Sequence, residues 1–194
     1  MQNTSSTTRK LVITAVLIAI SIVLSIPLNM GPFISLGFIV IGPTIAITIM
    51  HVPAIIGAIL EGPLVGVVVG GAFGLFSLFL ASQQPAGSPN AIFVDPFISV
   101  APRLFIGPVA WAVYVGLKSL GMQVRLISGA VAGTLTNTLL VIGAIALRLN
   151  VPFLATLASV SINVVLEMIV AAVIVVAVVS ALRGAAGGRS GSSV

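Results

Sequence analysis

The sequence predicts an all-α integral membrane protein of six transmembrane helices with both termini cytoplasmic. Three observations predict it. Hydrophobic residues make up 59% of the 194 residues and charged residues only 6%, and the mean hydropathy is +1.31; a soluble domain carries about 25% charged residues. Apolar runs of bilayer length, about 20 residues at 1.5 Å each, recur along the chain between Pro, Gly and Asn breaks. Six alternating spans then place Arg9, Lys10, Lys118, Arg125, Arg183 and Arg189 on one side and only Arg148 on the other. Such an excess of Lys and Arg marks the cytoplasmic side.

The elements follow in order. Polar Met1–Thr8 and Arg9-Lys10 lead into helix 1, about Lys10 to Ile26, which Pro27, Asn29, Gly31 and Pro32 end. Helix 2, about Ile34 to Met50, contains Gly42-Pro43 and is expected to kink there. His51-Val52-Pro53 is a turn. Helix 3 covers about Pro53 to Leu80, and Glu61-Gly62-Pro63 should kink it or split it into a short and a long piece. A Pro/Ser/Gly-rich loop, Ala81–Asn90, precedes helix 4, about Pro96 to Leu120. Helix 5 is about Val124 to Arg148 and helix 6 about Pro152 to Leu182. The organisation is thus a cytoplasmic segment 1–9, a membrane domain 10–183 and a disordered cytoplasmic tail 184–194.

Several functions are excluded. The chain has no Cys and one His, so disulfides and a multi-histidine metal site are ruled out. HExxH, GxSxG and a Walker-type phosphate loop do not occur, so no enzyme, no ATP hydrolysis by this chain and no cofactor are expected. The net charge of +5 is spread thinly and forms no basic patch with interleaved aromatics, which argues against a nucleic-acid partner. The lipid bilayer is the expected surrounding.

What stands out is polar cargo inside the spans. Arg103 sits about 10 Å into helix 4 at 1.5 Å per residue. An ionisable group there costs roughly 2.5–3.5 kcal/mol on insertion scales unless it finds a partner or a wet cavity. Ser99 lies one turn above it. Asn137 is near the middle of helix 5, among Thr134, Thr136 and Thr138, and Asn163 and Glu167 share a face of helix 6 at i, i+4. Two readings stand: a pocket open to the outside, in which Arg103 meets an anionic ligand, or an Arg103–Glu167 ion pair with the asparagines as interhelical glue. Glu61 is either a proton site or an interfacial residue that pairs with His51. Trp111 and Tyr114 read as an interfacial aromatic belt. Gly66, Gly70 and Gly74 form a small-residue stripe suited to close helix packing.

Four stretches together carry a family resemblance: Ala15 and Ala19 on helix 1, His51-Val52-Pro53-Ala54-Ile55-Ile56, the run Gly62 to Gly70 (GPLVGVVVG), and Pro96 to Gly107 (PFISVAPRLFIG). With the length and helix count, the chain resembles the substrate-binding (S) components of energy-coupling factor (ECF) vitamin transporters, over about Arg9 to Arg183. The resemblance implies a multi-pass protein of the prokaryotic plasma membrane that captures a small vitamin from outside with the outer halves of helices 4 to 6. Ser99, Arg103, Asn137, Asn163, Glu167 and Asn29 are the implied substrate residues, with the connection Leu28–Ile34 as a gate. It further implies docking through Ala15 and Ala19 on a transmembrane coupling subunit served by two ABC ATPases, followed by toppling to release substrate inside. Arg103 and Asn137 suit a carboxylate plus hydroxyl or amide groups, which ranks pantothenate or another small water-soluble vitamin before riboflavin and cobalamin. The competing expectations are a stand-alone proton-coupled secondary transporter of a small metabolite, working through Glu61 or Glu167, and a scaffold protein without a ligand.

Overall fold

The computed structural model describes residues 2–26, 36–41, 45–85, 87 and 89–188. The elements are α1 (Gln2–Ser25), β1 (Phe38–Ile41), β2 (Ile45–Thr48), α2 (Val52–Glu61), α3 (Pro63–Ser82), a short 3-10 helix (Pro89–Val94), α4 (Pro96–Ser99), α5 (Ala101–Gly116), α6 (Met122–Leu149) and α7 (Phe153–Gly188). α4 and α5 make one span, Pro96–Gly116, so the chain is built on six helices. Five of them are long and apolar enough to cross a membrane: Thr7–Ser25, Pro63–Ser82, Pro96–Gly116, Met122–Leu149 and Phe153–Gly184. The last helix continues to Gly188, beyond the Gly184 at which the sequence places a tail.

The expected helix over Ile34 to Met50 is corrected. That stretch holds an antiparallel strand pair with Phe38 opposite Thr48 and Ile41 opposite Ile45. Gly42-Pro43 leaves eight residues before it and seven after it, too few for either arm to be a stable helix on its own. The arms are rich in Ile and Val, whose branched side chains favour extended backbone. Gly37 anchors the pair to α1: its N–H donates to the Leu24 carbonyl at 2.7 Å and its own carbonyl accepts from Ile49 at 3.0 Å. A sixth crossing helix is therefore absent among the described residues. The strand pair and α2 stand in its place.

Helix 3 of the sequence reading is split, as Gly62-Pro63 allowed. Gly62 adopts φ 103°, a conformation that favours glycine, and Pro63 opens α3. The short piece, α2, lies in the centre of the protein. Val52 to Ile59 are all buried, and α1, α3, α5, α6 and α7 all contact it.

In lipid, helices gain little from burying apolar surface and associate through close packing, for which small residues are suited. The stripe on α3 does this against the Arg103 span. A methyl group added at Gly70 would lie 2.2 Å from the Arg103 carbonyl oxygen, and one at Gly74 would lie 2.7 Å from the Ser99 carbonyl oxygen. Gly107 faces Gly66 so closely that its added methyl would sit 2.4 Å from the Gly66 Cα. The glycines thus set where the backbone of the arginine-bearing span lies.

Candidate functional site

Pro102 shapes the surroundings of Arg103. Proline has no N–H, so the Ile98 carbonyl one turn earlier loses its helical donor. Arg103 Nη1 donates to that carbonyl instead. The guanidinium is sandwiched by aromatics, 5.5 Å from the Phe73 ring centroid and 5.2 Å from that of Phe93, a favourable cation–π arrangement. Arg103 is 5% exposed, and its Nε has no partner among the described residues. Ser99 is fully buried and donates to the Asp95 carbonyl at 3.0 Å.

The Arg103–Glu167 ion pair does not form. Glu167 Oε1 accepts from both the N–H and the Oγ1 of Thr48, at 2.8 and 2.7 Å, which ties α7 to β2. The expected Glu61–His51 pair is likewise replaced. Glu61 faces Arg9 at 3.4 Å, whereas His51 is buried at the start of α2 with Nε2 2.9 Å from Thr134 Oγ1.

The segment Thr48–His51 is therefore a junction: Thr48 holds α7, and His51 holds α6. One turn from these contacts stand the two asparagines. Asn137 follows Thr134 on α6, and Asn163 precedes Glu167 on α7. The Oδ1 atoms of both are buried without a partner among the described residues. A buried polar atom left unpaired costs about 1–3 kcal/mol. Arg103 Nε, Asn137 Oδ1 and Asn163 Oδ1 lie on α5, α6 and α7, of which α5 packs on α6 and α6 on α7; the other buried unpaired side-chain atoms among the described residues belong to Ser21, Glu61 and Ser180.

Asn29 and the Leu28–Ile34 connection lie outside the described residues. Ala15 and Ala19 are exposed on α1, on a face shared with Val12, Val16 and Val23, while Leu17 and Ser21 turn inward. Residues the sequence reading leaves outside the site are Thr48 and Phe73; Thr134 enters it only as a neighbour of Asn137, and His51 as a turn residue or a partner of Glu61. Thr48 and His51 do carry a signal: they are isolated polar residues in an apolar run from Phe38 to Ile59.

The two ends of the bundle differ. At one, Asp95 caps α4 through the Phe97 N–H at 2.8 Å and pairs with Arg148 at 2.7 Å. At the other, Tyr114 is buried beneath Arg125 and Arg183.

A multi-pass bundle with buried, unpaired polar atoms on α5, α6 and α7 is suited to holding a polar ligand within the membrane. The chain belongs to the family described as ECF transporter, substrate-specific component, which matches residues 9–185. Membership makes it the substrate-specific part of a vitamin uptake system whose ATPase activity resides in other subunits. Among curated proteins it is 31% identical over 158 residues to the pantothenic acid transporter PanT of Lactococcus lactis subsp. cremoris, covering 71% of this chain and 78% of that protein. It is 34% identical over 100 residues to the pantothenate transporter PanT of Leuconostoc mesenteroides subsp. mesenteroides, covering 52% of this chain and 48% of that one.

Proposed function

We propose that the chain binds pantothenate at the external side of a prokaryotic plasma membrane and delivers it inward on an ATPase-driven coupling module. The observation that carries this is the set of unpaired buried atoms: Arg103 Nε, Asn137 Oδ1 and Asn163 Oδ1. A guanidinium N–H calls for an acceptor, and two amide oxygens call for donors. Pantothenate offers a carboxylate at one end, and hydroxyls and an amide N–H along its length. Both relatives named above are pantothenate transporters, which supports the same substrate. Ser99 and Glu167 act as supports, Ser99 by fixing the turn above Arg103 and Glu167 by holding the strand pair through Thr48. The family resemblance assigns Asn29 and the connection Leu28–Ile34 to gating.

On this reading both termini are cytoplasmic, as the bias in basic residues requires. The outward face of α1 at Ala15 and Ala19 then docks on the transmembrane coupling subunit, which two ABC ATPases drive. The deciding experiment is calorimetric titration of the purified protein with pantothenate, riboflavin and cobalamin. Saturable binding of pantothenate alone is the expected result, and binding of either other vitamin in its place overturns the substrate. Ala19→Trp is expected to abolish uptake while leaving binding intact. Uptake that persists without the ATPases and collapses with the proton gradient would point to a proton-coupled transporter instead.

A further inference from the structure

The whole sequence contains three acidic side chains, and each is committed elsewhere. Glu61 faces Arg9, Asp95 pairs with Arg148, and Glu167 holds Thr48. Lys118, Arg125 and Arg183 have no acidic side chain left to neutralise them. Two of these cations nevertheless converge on one residue. Arg125 lies 4.2 Å from the Tyr114 ring centroid, and its Nε donates to the Tyr114 carbonyl at 3.1 Å. Arg183 lies 5.6 Å from the same centroid and donates to the Tyr114 hydroxyl at 2.8 Å. The guanidiniums are thus held within roughly one Debye length of each other at 0.1 M salt, where like charges still repel. The ring face offsets part of that repulsion. Lys118 follows one turn after Tyr114 and adds a third positive charge at this end.

A second feature starts beside them. An apolar groove of about 650 Å³ runs between α6 and α7, bounded by Ile127 and Val131 on one helix and by Val165, Ala172 and Ala177 on the other. Ile127 comes directly after the turn that carries Arg125, and Ala177 lies about 9 Å before Arg183 at 1.5 Å per residue. Along α7 the lining extends about 18 Å by the same rise. Its far end, Val165, therefore lies about 27 Å from Arg183, past the roughly 15 Å depth of one leaflet of the hydrocarbon core.

We propose that this end of the bundle is a binding site for an anionic phospholipid. Its phosphate neutralises Arg125 and Arg183 over Tyr114, and one acyl chain lies in the α6/α7 groove. Charge complementarity selects the headgroup, and the length of the groove selects a lipid over a small anion. Basic pockets between helix ends are suited to anionic headgroups, each cation contributing about fivefold in affinity near the surface.

The single tryptophan, Trp111, lies one turn from Tyr114 and reports the site. The test uses the full chain in nanodiscs of phosphatidylcholine doped with brominated phosphatidylglycerol or brominated phosphatidylcholine, with quenching of Trp111 fluorescence as the readout. The expected preference for phosphatidylglycerol is roughly thirtyfold for two cations. It should fall about fivefold in Arg183→Gln and vanish in the Arg125→Gln/Arg183→Gln double variant. Ala172→Phe, which fills the groove, should weaken both lipids severalfold without changing their ratio. Equal quenching by the two lipids, or a preference undiminished in Arg183→Gln, overturns the proposal. So does inorganic phosphate removing the preference, since that would mark a site for free anions. Unchanged binding in Ala172→Phe overturns the acyl-chain assignment.

Discussion

Arg103 and the pair Arg125/Arg183 are all arginines resting on aromatic rings, yet the protein treats them in opposite ways. Arg103 is buried mid-span, satisfies a carbonyl that Pro102 releases, and still has one nitrogen unpaired. Arg125 and Arg183 sit at a helix end, share the single tyrosine, and lack only a counter-charge. Burying a cation is costly unless hydrogen bonds and partners surround it, whereas a cation at the membrane boundary keeps contact with water and headgroups. On the proposed reading, the first arrangement makes the protein's fold and its ligand share one charge. The second leaves the charge to the bilayer. Glycine packing sharpens the contrast, because the α3 stripe fixes the backbone at Arg103 while nothing comparable fixes Lys118.

The largest effect expected on this contrast comes from Arg103→Ala. Removing one partner of a buried charge interaction costs about 3–5 kcal/mol. Pantothenate affinity should then fall roughly a hundredfold or more by calorimetry, with the protein still monodisperse in size-exclusion chromatography; loss of the folded protein would make Arg103 a brace instead. Next is Gly107→Val, whose branch must enter space held by Gly66. Overpacking of this kind costs about 1–3 kcal/mol, so the thermal midpoint should drop by several degrees and pantothenate affinity should fall with it as Arg103 shifts. Asn163→Leu separates stability from function. It removes an unpaired buried oxygen, so the thermal midpoint should hold or rise while affinity falls about tenfold, the worth of one hydrogen bond in a site built for it. The smallest effect belongs to Arg148→Gln. Its pair with Asp95 is partly exposed, with side chains 55% and 27% accessible. Pairs of this type contribute about 0–1 kcal/mol, so the thermal midpoint should move little, and less still at high salt.

Much of this was legible in the chain itself. Composition and run length gave the long spans, since partition into lipid depends on local content. Gly62-Pro63 marked a break because glycine tolerates φ 103° and proline cannot continue the hydrogen-bond ladder. Arg103, Asn137 and Asn163 stood out as polar residues at membrane depth, and each holds a buried unpaired atom. The partners were not legible. Local sequence offers no reason for Glu167 to seek Thr48, 119 residues away, rather than Arg103 of α5.

The sequence by itself determined the membrane class, the long spans, the family and the short set of polar residues that cannot be filler, because each follows from local composition or motif. Tertiary structure alone decided that Ile34 to Met50 contains a strand pair rather than a helix, since short apolar runs carry no period that separates the two. It also decided that α2 is the buried centre on which Thr48 and His51 meet α7 and α6. Both outcomes depend on which distant groups satisfy a strand edge or a buried side chain. In a medium without water, those partners must come from elsewhere in the fold.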